Sequence, residues 1–175
     1  MACNSIKQFT YDACQANLGG IKNVWLANYV EGAATISESG ETEGVVTAFA
    51  EGVEWVKYPM RKNVASMTST LNASTEGATY VSTELAMVFS KMETQKRLAI
   101  VALALGEAMA LVEDSNGKLW FLGKDAPLTA TAGTGETGTA KGDRNAYTVT
   151  LTDESLEFPH EVSGELRPAS TTTEG

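Results

Sequence analysis

Residues 63–91 read NVASMTSTLNASTEGATYVSTELAMVFSK, and their alternation decides the fold class. From 65 to 73, Ala65, Met67, Leu71 and Ala73 hold the odd positions together with Ser69. Ser66, Thr68, Thr70 and Asn72 hold the even ones. From 80 to 90, Val81, Leu85, Met87 and Phe89 share one parity with Thr83. Ser82, Glu84 and Ser90 share the other with Tyr80, Ala86 and Val88. Side chains alternate across a strand, so both segments read as strands with one apolar face. Ser74-Thr75-Glu76-Gly77 joins them as a tight turn, because Gly77 reaches positive φ without a Cβ clash. Each strand would be about twice the usual five or six residues. At roughly 3.3 Å per residue the ribbon would reach on the order of 35–40 Å. A small domain seldom needs so long a hairpin for its own core, so the ribbon points to a role outside the single chain.

Working outward, the 175 residues predict one domain with room for a core. The hydrophobic share of 43% is ordinary for a globular chain. Abundant Thr, Ala, Gly and Glu lean it towards a mainly β fold. The net charge is −9, and the isoelectric point is near 4.6. Phosphate binding needs Lys and Arg, so the bulk surface does not suit nucleic acid, nor an anionic membrane. Two cysteines, Cys3 and Cys14, form no C-x-x-C pair and read as free thiols in a reducing cytosol. No basic region followed by an apolar run opens the chain, so no secretory signal is expected. The most apolar window, 98–105, is too short to cross a bilayer. A soluble protein made in the cytoplasm is the expectation.

Ahead of the ribbon, residues 1–20 read as a polar arm and 22–30 as a strand. On that strand Val24, Leu26 and Asn28 oppose Trp25, Ala27 and Tyr29. Residues 31–44 read as a loop, and 45–49 and 53–58 as short strands, the second stopped by Pro59. After the ribbon, 93–105 predicts the one helix, with Leu98, Val101, Ala102 and Leu105 as its apolar stripe and Gly106 as its stop. Asn116-Gly117 joins strands at 108–113 and 118–123 into a hairpin, with Trp120 and Phe121 on opposite faces. The Thr/Gly/Ala stretch 127–142 reads either as a splayed hairpin or as a loop. Residues 146–152 alternate as a strand with Tyr147, Val149 and Leu151 on one face. The division is thus an arm (1–20), a β domain (21–162) and a low-complexity tail (163–175).

Residues with chemistry are sparse. His160 is the one histidine and has no Cys or His at ligand spacing. Cys14 has no base to activate it. Gly133 to Gly138 matches G-x-G-x-x-G, but no helical stripe follows to present its N-terminus to a pyrophosphate. Asp153, Glu154 and Glu157 cluster without EF-hand spacing and read as a solvated turn, as do Glu107, Glu113 and Asp114. Asn72-Ala73-Ser74 is a glycosylation sequon without a secretory route. Catalytic, cofactor and metal residues are therefore expected to be absent. Arg61, Lys62, Lys96 and Arg97 are basic spots in an acidic chain, suited to acidic groups of another copy.

The order of elements carries a resemblance: ribbon 63–91, helix 93–105, then Asn116-Gly117-Lys118-Leu119-Trp120-Phe121-Leu122-Gly123 and Gly142-Asp143-Arg144-Asn145-Ala146-Tyr147. Over residues 20–160 the chain resembles the major tail (tail tube) proteins of bacterial viruses, and its phrases are similar to those of phages and prophages of Bacteroides-type gut bacteria. The resemblance implies a tail-tube-like β-sandwich or barrel flanked by one helix. It also implies six copies in a ring, rings stacked into a tube, and phage DNA passing through without specific binding. Other tail proteins would be partners, and the virion tail the location. Ser66, Thr68, Thr70, Asn72, Ser82 and Glu84 would face the channel. The arms 1–20 and 163–175 and the loop 31–44 would reach neighbouring copies. Few acids lie on the ribbon, so its lining would be mostly hydroxyl. The alternatives are another virion component of related fold (tail terminator, neck or capsid decoration protein) and an acidic β-sandwich binding module. An enzyme would need an acid–base or metal set that the sequence does not offer.

Overall fold

The computed structural model describes Phe9, residues 16–61 and residues 64–168. Cys3, Cys14, Lys62 and most of both arms lie outside the described residues. The strands are β1 (Ile21–Asn28), β2 (Ala34–Ile36), β3 (Val46–Phe49), β4 (Val56–Pro59), β5 (Ala65–Ala73) and β6 (Thr79–Ser90). One helix follows, α1 (Thr94–Leu105), and then β7 (Ala108–Asp114) and β8 (Leu119–Leu122). Last come β9 (Thr129–Glu136), β10 (Ala146–Ser155) and β11 (His160–Val162). The chain is mainly β, a β-sandwich-like arrangement of two sheets with one helix.

The ribbon forms as its alternation predicts. Strands β5 and β6 pair antiparallel from Ala65 opposite Met87 to Ala73 opposite Thr79. Gly77 takes φ 92° in the turn between them. The ribbon does not stand alone: β10 pairs with β6 along ten residues and β9 pairs with β10, giving a four-stranded sheet in the order β5-β6-β10-β9. The second sheet has seven strands in the order β2-β3-β11-β8-β7-β1-β4. Its interior strand β7, between β8 and β1, is buried from Ala108 to Glu113, as a strand covered on both faces must be.

Alternation then sorts β1 into two cores. Val24 and Leu26 join Leu85, Met87, Val149 and Leu151 between the sheets, whereas Trp25 and Ala27 join Met109, Leu111 and Phe121 on the far side. Phe49 stacks edge-on to Trp55 and Phe121, at 5.2 and 5.4 Å between centroids, and closes that second core.

Three local readings change. The loop 31–44 contains β2, because it finds a partner strand that its composition does not announce; of the two readings of 127–142 the hairpin is the nearer, with β9 as one arm and β10 as the other. In the 114–117 turn only Gly117 takes positive φ (87°). Asn116 instead clamps the incoming chain: its Oδ1 accepts the Leu18 N–H at 2.9 Å, and its Nδ2 donates to Asn17 Oδ1 at 3.1 Å. Helix α1 turns a different face inward. Ile100 and Leu103 pack on the core, while Leu98, Val101 and Leu105 are exposed, Leu105 at 85%. The helix is apolar nearly all round, so its periodicity names no unique inner face. Gly106 follows it with φ −102°, so its value there is space: a Cβ would sit 2.9 Å from the Ala102 carbonyl oxygen.

Candidate assembly surface

The register of the four-stranded sheet places the predicted channel-facing residues together. Thr68 lies opposite Glu84, Thr70 opposite Ser82, and Asn72 opposite Tyr80. Directly opposed residues project to the same side, so Ser66, Thr68, Thr70, Asn72, Ser82 and Glu84 share one face. It is the face away from the core: Ser66, Thr68, Thr70 and Glu84 are exposed, Asn72 and Ser82 half-buried. A shallow depression on it is lined by Thr68, Thr70, Asn72, Tyr80, Ser82 and Glu84.

The face is wider than the ribbon alone. On β10, Thr150, Thr152 and Glu154 pair with Ala86, Glu84 and Ser82 and so extend it; Thr148, opposite Val88, shares their parity, but its Oγ1 is buried without a partner. On β9, Ala132 and Thr134 pair with Thr150 and Thr148. Thr131 occupies a bulge, and its hydroxyl meets that of Thr152 at 2.8 Å. In the sequence these hydroxyls are masked by the apolar parity of 146–152, Tyr147, Val149 and Leu151. The opposite parity, Thr148, Thr150 and Thr152, was the available signal. The enlarged face carries many hydroxyls, two carboxylates (Glu84 and Glu154) and no Lys or Arg among the residues just named.

The two sheets end differently. The seven-stranded sheet stops at β2, of three residues, and at β4, of four and terminated by Pro59. Short strands and proline are devices that keep an edge from recruiting another chain. The four-stranded sheet stops at β5, nine residues long, and at β9, eight residues long. Neither contains Pro, Lys or Arg, and Glu136 is the one charge. The bulge at Thr131 breaks β9 near its start, leaving 132–136 in regular register. Both edges therefore keep rows of backbone groups available for pairing. At the ribbon's far end Leu71 is 54% exposed, although its parity belongs to the apolar face.

The basic residues divide. Arg61 and Arg97 are exposed. Lys96 is engaged within its own chain: Nζ donates to the Ser90 carbonyl at 2.6 Å and to the Lys91 carbonyl at 3.2 Å, and lies 3.2 Å from Glu93 Oε2. The nearby Lys91, at φ 67°, is the one described non-glycine residue in the left-handed region. Asn145 braces this corner, accepting the Lys91 N–H on its carbonyl at 2.7 Å and the Met92 N–H on Oδ1 at 2.8 Å.

Sites of chemistry do not assemble from the remaining candidates. Asp153, Glu154 and Glu157 separate: Asp153 turns inward, Glu154 lies on the hydroxyl face, and Glu157 pairs with Lys124 at 3.3 Å. Among the described residues no three His, Cys, Asp or Glu side chains are placed to hold a metal ion. Gly133 and Gly135 lie in β9 and no helix follows, so the glycine run has no phosphate cradle. Asp143 instead fills its own turn, accepting the Thr139 and Ala140 N–H groups at 2.8 and 2.7 Å. Those two bonds hold its carboxyl below the usual range.

His160 lines a cleft of about 800 Å³ with Glu38, Glu43, Lys124, Asp125 and Glu157. Its Nδ1 donates to the Gly44 carbonyl at 2.8 Å, and its Nε2 lies 3.2 Å from Glu157 Oε2. Those contacts fasten the 37–45 loop to β11, and among the described residues no hydroxyl or thiol is hydrogen-bonded to the imidazole. Glu113 and Asp114 are structural too. Glu113, buried, accepts from Asn23 Nδ2 at 2.7 Å and meets Arg167 at 3.1 Å, and Asp114 caps its turn.

One buried group stands apart. Asp153 is 3% exposed; Oδ2 accepts the Gly123 N–H at 3.3 Å and Oδ1 has no partner. Burial pushes its carboxyl up to about 6, against the pull of the Gly123 N–H and with help from the charges of Asp125 and Glu154.

No protein-family model, curated protein or solved structure matches this chain.

Proposed function

We propose that this chain is a structural protomer of a bacterial-virus tail tube, assembling into rings that stack into a channel for DNA. It would act in the virion tail and not as an enzyme, with copies of itself and other tail proteins as partners. The observation that carries the reading is the contrast between the sheet edges. One sheet is blunted at both ends, and the other presents two long, open strands. Pairing β9 of one copy with β5 of the next satisfies both edges, and a closed ring leaves none over.

The outward face then becomes a lining. Hydroxyls keep it wet, and the absence of cationic anchors along it lets a phosphate backbone slide instead of binding. Six four-stranded sheets, at about 4.8 Å per strand, give a ring roughly 37 Å across backbone to backbone before strand tilt widens it. A duplex fits such an opening with side chains and water between.

Negative-stain microscopy of the purified protein across concentration tests the proposal. Rings or open-ended tubes about 100 Å wide, several domain diameters at the usual globular size, are the expected result. Isolated rings that never stack would move the reading to a terminator or neck protein, and trimers to a decoration protein. A monodisperse monomer at every concentration would overturn it. In assembled particles, Ser82→Lys with Glu84→Lys, both on the inner strand β6 and away from the seam, should slow DNA release; unchanged release would remove the lining role.

A further inference from the structure

Between α1, the end of β4 and the end of β6 lies an apolar groove of about 380 Å³. Tyr58, Met60, Val88, Phe89, Ala99 and Ile100 wall it, each only half-buried, and Arg61 stands exposed at the rim. The groove continues along the helix into a smaller hollow of about 200 Å³, which shares Tyr58 and Ala99. No described segment of the chain covers it, so its walls keep apolar surface that the described residues leave in water.

The N-terminal arm has the matching chemistry. Residues 1–15 carry two charges, Lys7 and Asp12, and place Phe9 and Tyr11 two positions apart. In an extended segment those two rings project to the same side, about 7 Å apart. A cavity of about 150 Å³ accepts one benzene ring, so 380 Å³ has room for both. With both rings seated, Asp12 follows at the rim, where Arg61 offers the opposite charge. The arm is held at Asn17 and Leu18 by Asn116, and from that anchor the chain can carry Tyr11 up to about 20 Å and Phe9 up to about 28 Å. In the single chain Phe9 is 90% exposed, so its ring is not seated in the groove of its own chain.

We infer that the groove beside α1 receives Phe9 and Tyr11 from the N-terminal arm of a second copy. The inference rests on the self-assembly reading only in requiring that second copy. The arm would tie each protomer to a neighbour through a contact separate from the β5–β9 seam.

Disulfide trapping tests it. In a Cys3→Ser, Cys14→Ser background, the full chain would carry Lys7→Cys in the arm, on the same side as Phe9 and Tyr11, and Ala99→Cys in the groove. It would be oxidised with oxidised glutathione at a concentration where the protein self-associates, and run on a non-reducing gel. A ladder of covalent oligomers is expected, and adding Phe9→Ala with Tyr11→Ala should reduce it tenfold or more, since each ring loses its burial. A disulfide closed within one chain would overturn the inference in favour of the chain's own arm. No disulfide, with rings visible in the microscope, would also overturn it and leave the groove to another segment, while the tube reading stands. No disulfide and no particles would remove both. A ladder that survives loss of both rings would overturn the assignment of Phe9 and Tyr11.

Discussion

Asp153→Asn should abolish a pH dependence of stability that the wild-type chain carries. Asp153 lies beneath the hydroxyl face, 3% exposed, with one carboxylate oxygen bonded to the Gly123 N–H and the other unpartnered. Its folded pKa is about 6, against 3.8 for the free side chain. The folded state therefore holds the proton more tightly than the unfolded state. Below about pH 3.8 both states are protonated and the group contributes no slope. Between there and about pH 6 the unfolded chain ionises first, so stability falls as pH rises; above that the loss is complete. At 1.36 kcal/mol per pKa unit the loss is roughly 3 kcal/mol, or on the order of 6–12 °C in Tm for a chain this long. Asparagine keeps an acceptor for Gly123 and never ionises, although its amide must be buried at a constant cost of about 1–3 kcal/mol. The measurement is thermal or urea unfolding of both proteins from pH 3.5 to 8, at concentrations where both are monomeric. The difference between variant and wild type should shift in the variant's favour by about 3 kcal/mol across that range. Two curves that stay parallel would refute the reasoning, because they would mean that Asp153 is already ionised without cost in the fold.

Leu71→Lys on β5 and Thr134→Lys on β9 should each abolish ring formation by sedimentation, yet change monomer stability by less than about 0.5 kcal/mol, since both positions are exposed. Glu113→Ala should cost about 1–3 kcal/mol in urea unfolding and raise hydrogen exchange over residues 164–168, because Asn23 and Arg167 lose their shared acceptor. Asn145→Ala should cost about 1 kcal/mol by releasing the Met92 N–H at the corner where Lys91 is held left-handed. An unchanged urea midpoint would show that water replaces that bond freely.

The ribbon was legible because its two faces differ so sharply: Leu85 and Met87 against Ser82 and Glu84 leave little freedom of register. Strand β9 was not. Thr129 to Glu136 alternates threonine with alanine and glycine, and such a strand exists only because β10 supplies its hydrogen bonds. The same holds for β2 and β11, three residues each, whose pairing is a tertiary event with no local signature. The helix was found, but its inner face was not, since Ile100 and Leu103 are no more apolar than Leu98 and Leu105 on the other side. Half of the hydroxyl face was named from the ribbon. The other half became visible only when sheet order placed β10 beside β6, with Thr150 opposite Ala86 and Thr152 opposite Glu84. The groove beside α1 had no counterpart in the sequence, because Tyr58, Phe89 and Ile100 are brought together from three separate elements.

The order β5-β6-β10-β9 has four members, and each neighbouring pair is antiparallel. An even count makes the first and last strands point in opposite directions. A rotation that brings β9 of one copy beside β5 of another then always makes an antiparallel seam of the same kind as those inside the sheet. This parity is satisfied by five copies, six or seven alike. Hydrogen bonding at the seam would thus make joining favourable without counting the participants. Copy number would have to come from the angle between neighbours. Substitutions in β5 or β9 would decide whether there is a ring at all, and contacts beyond the seam would decide its size.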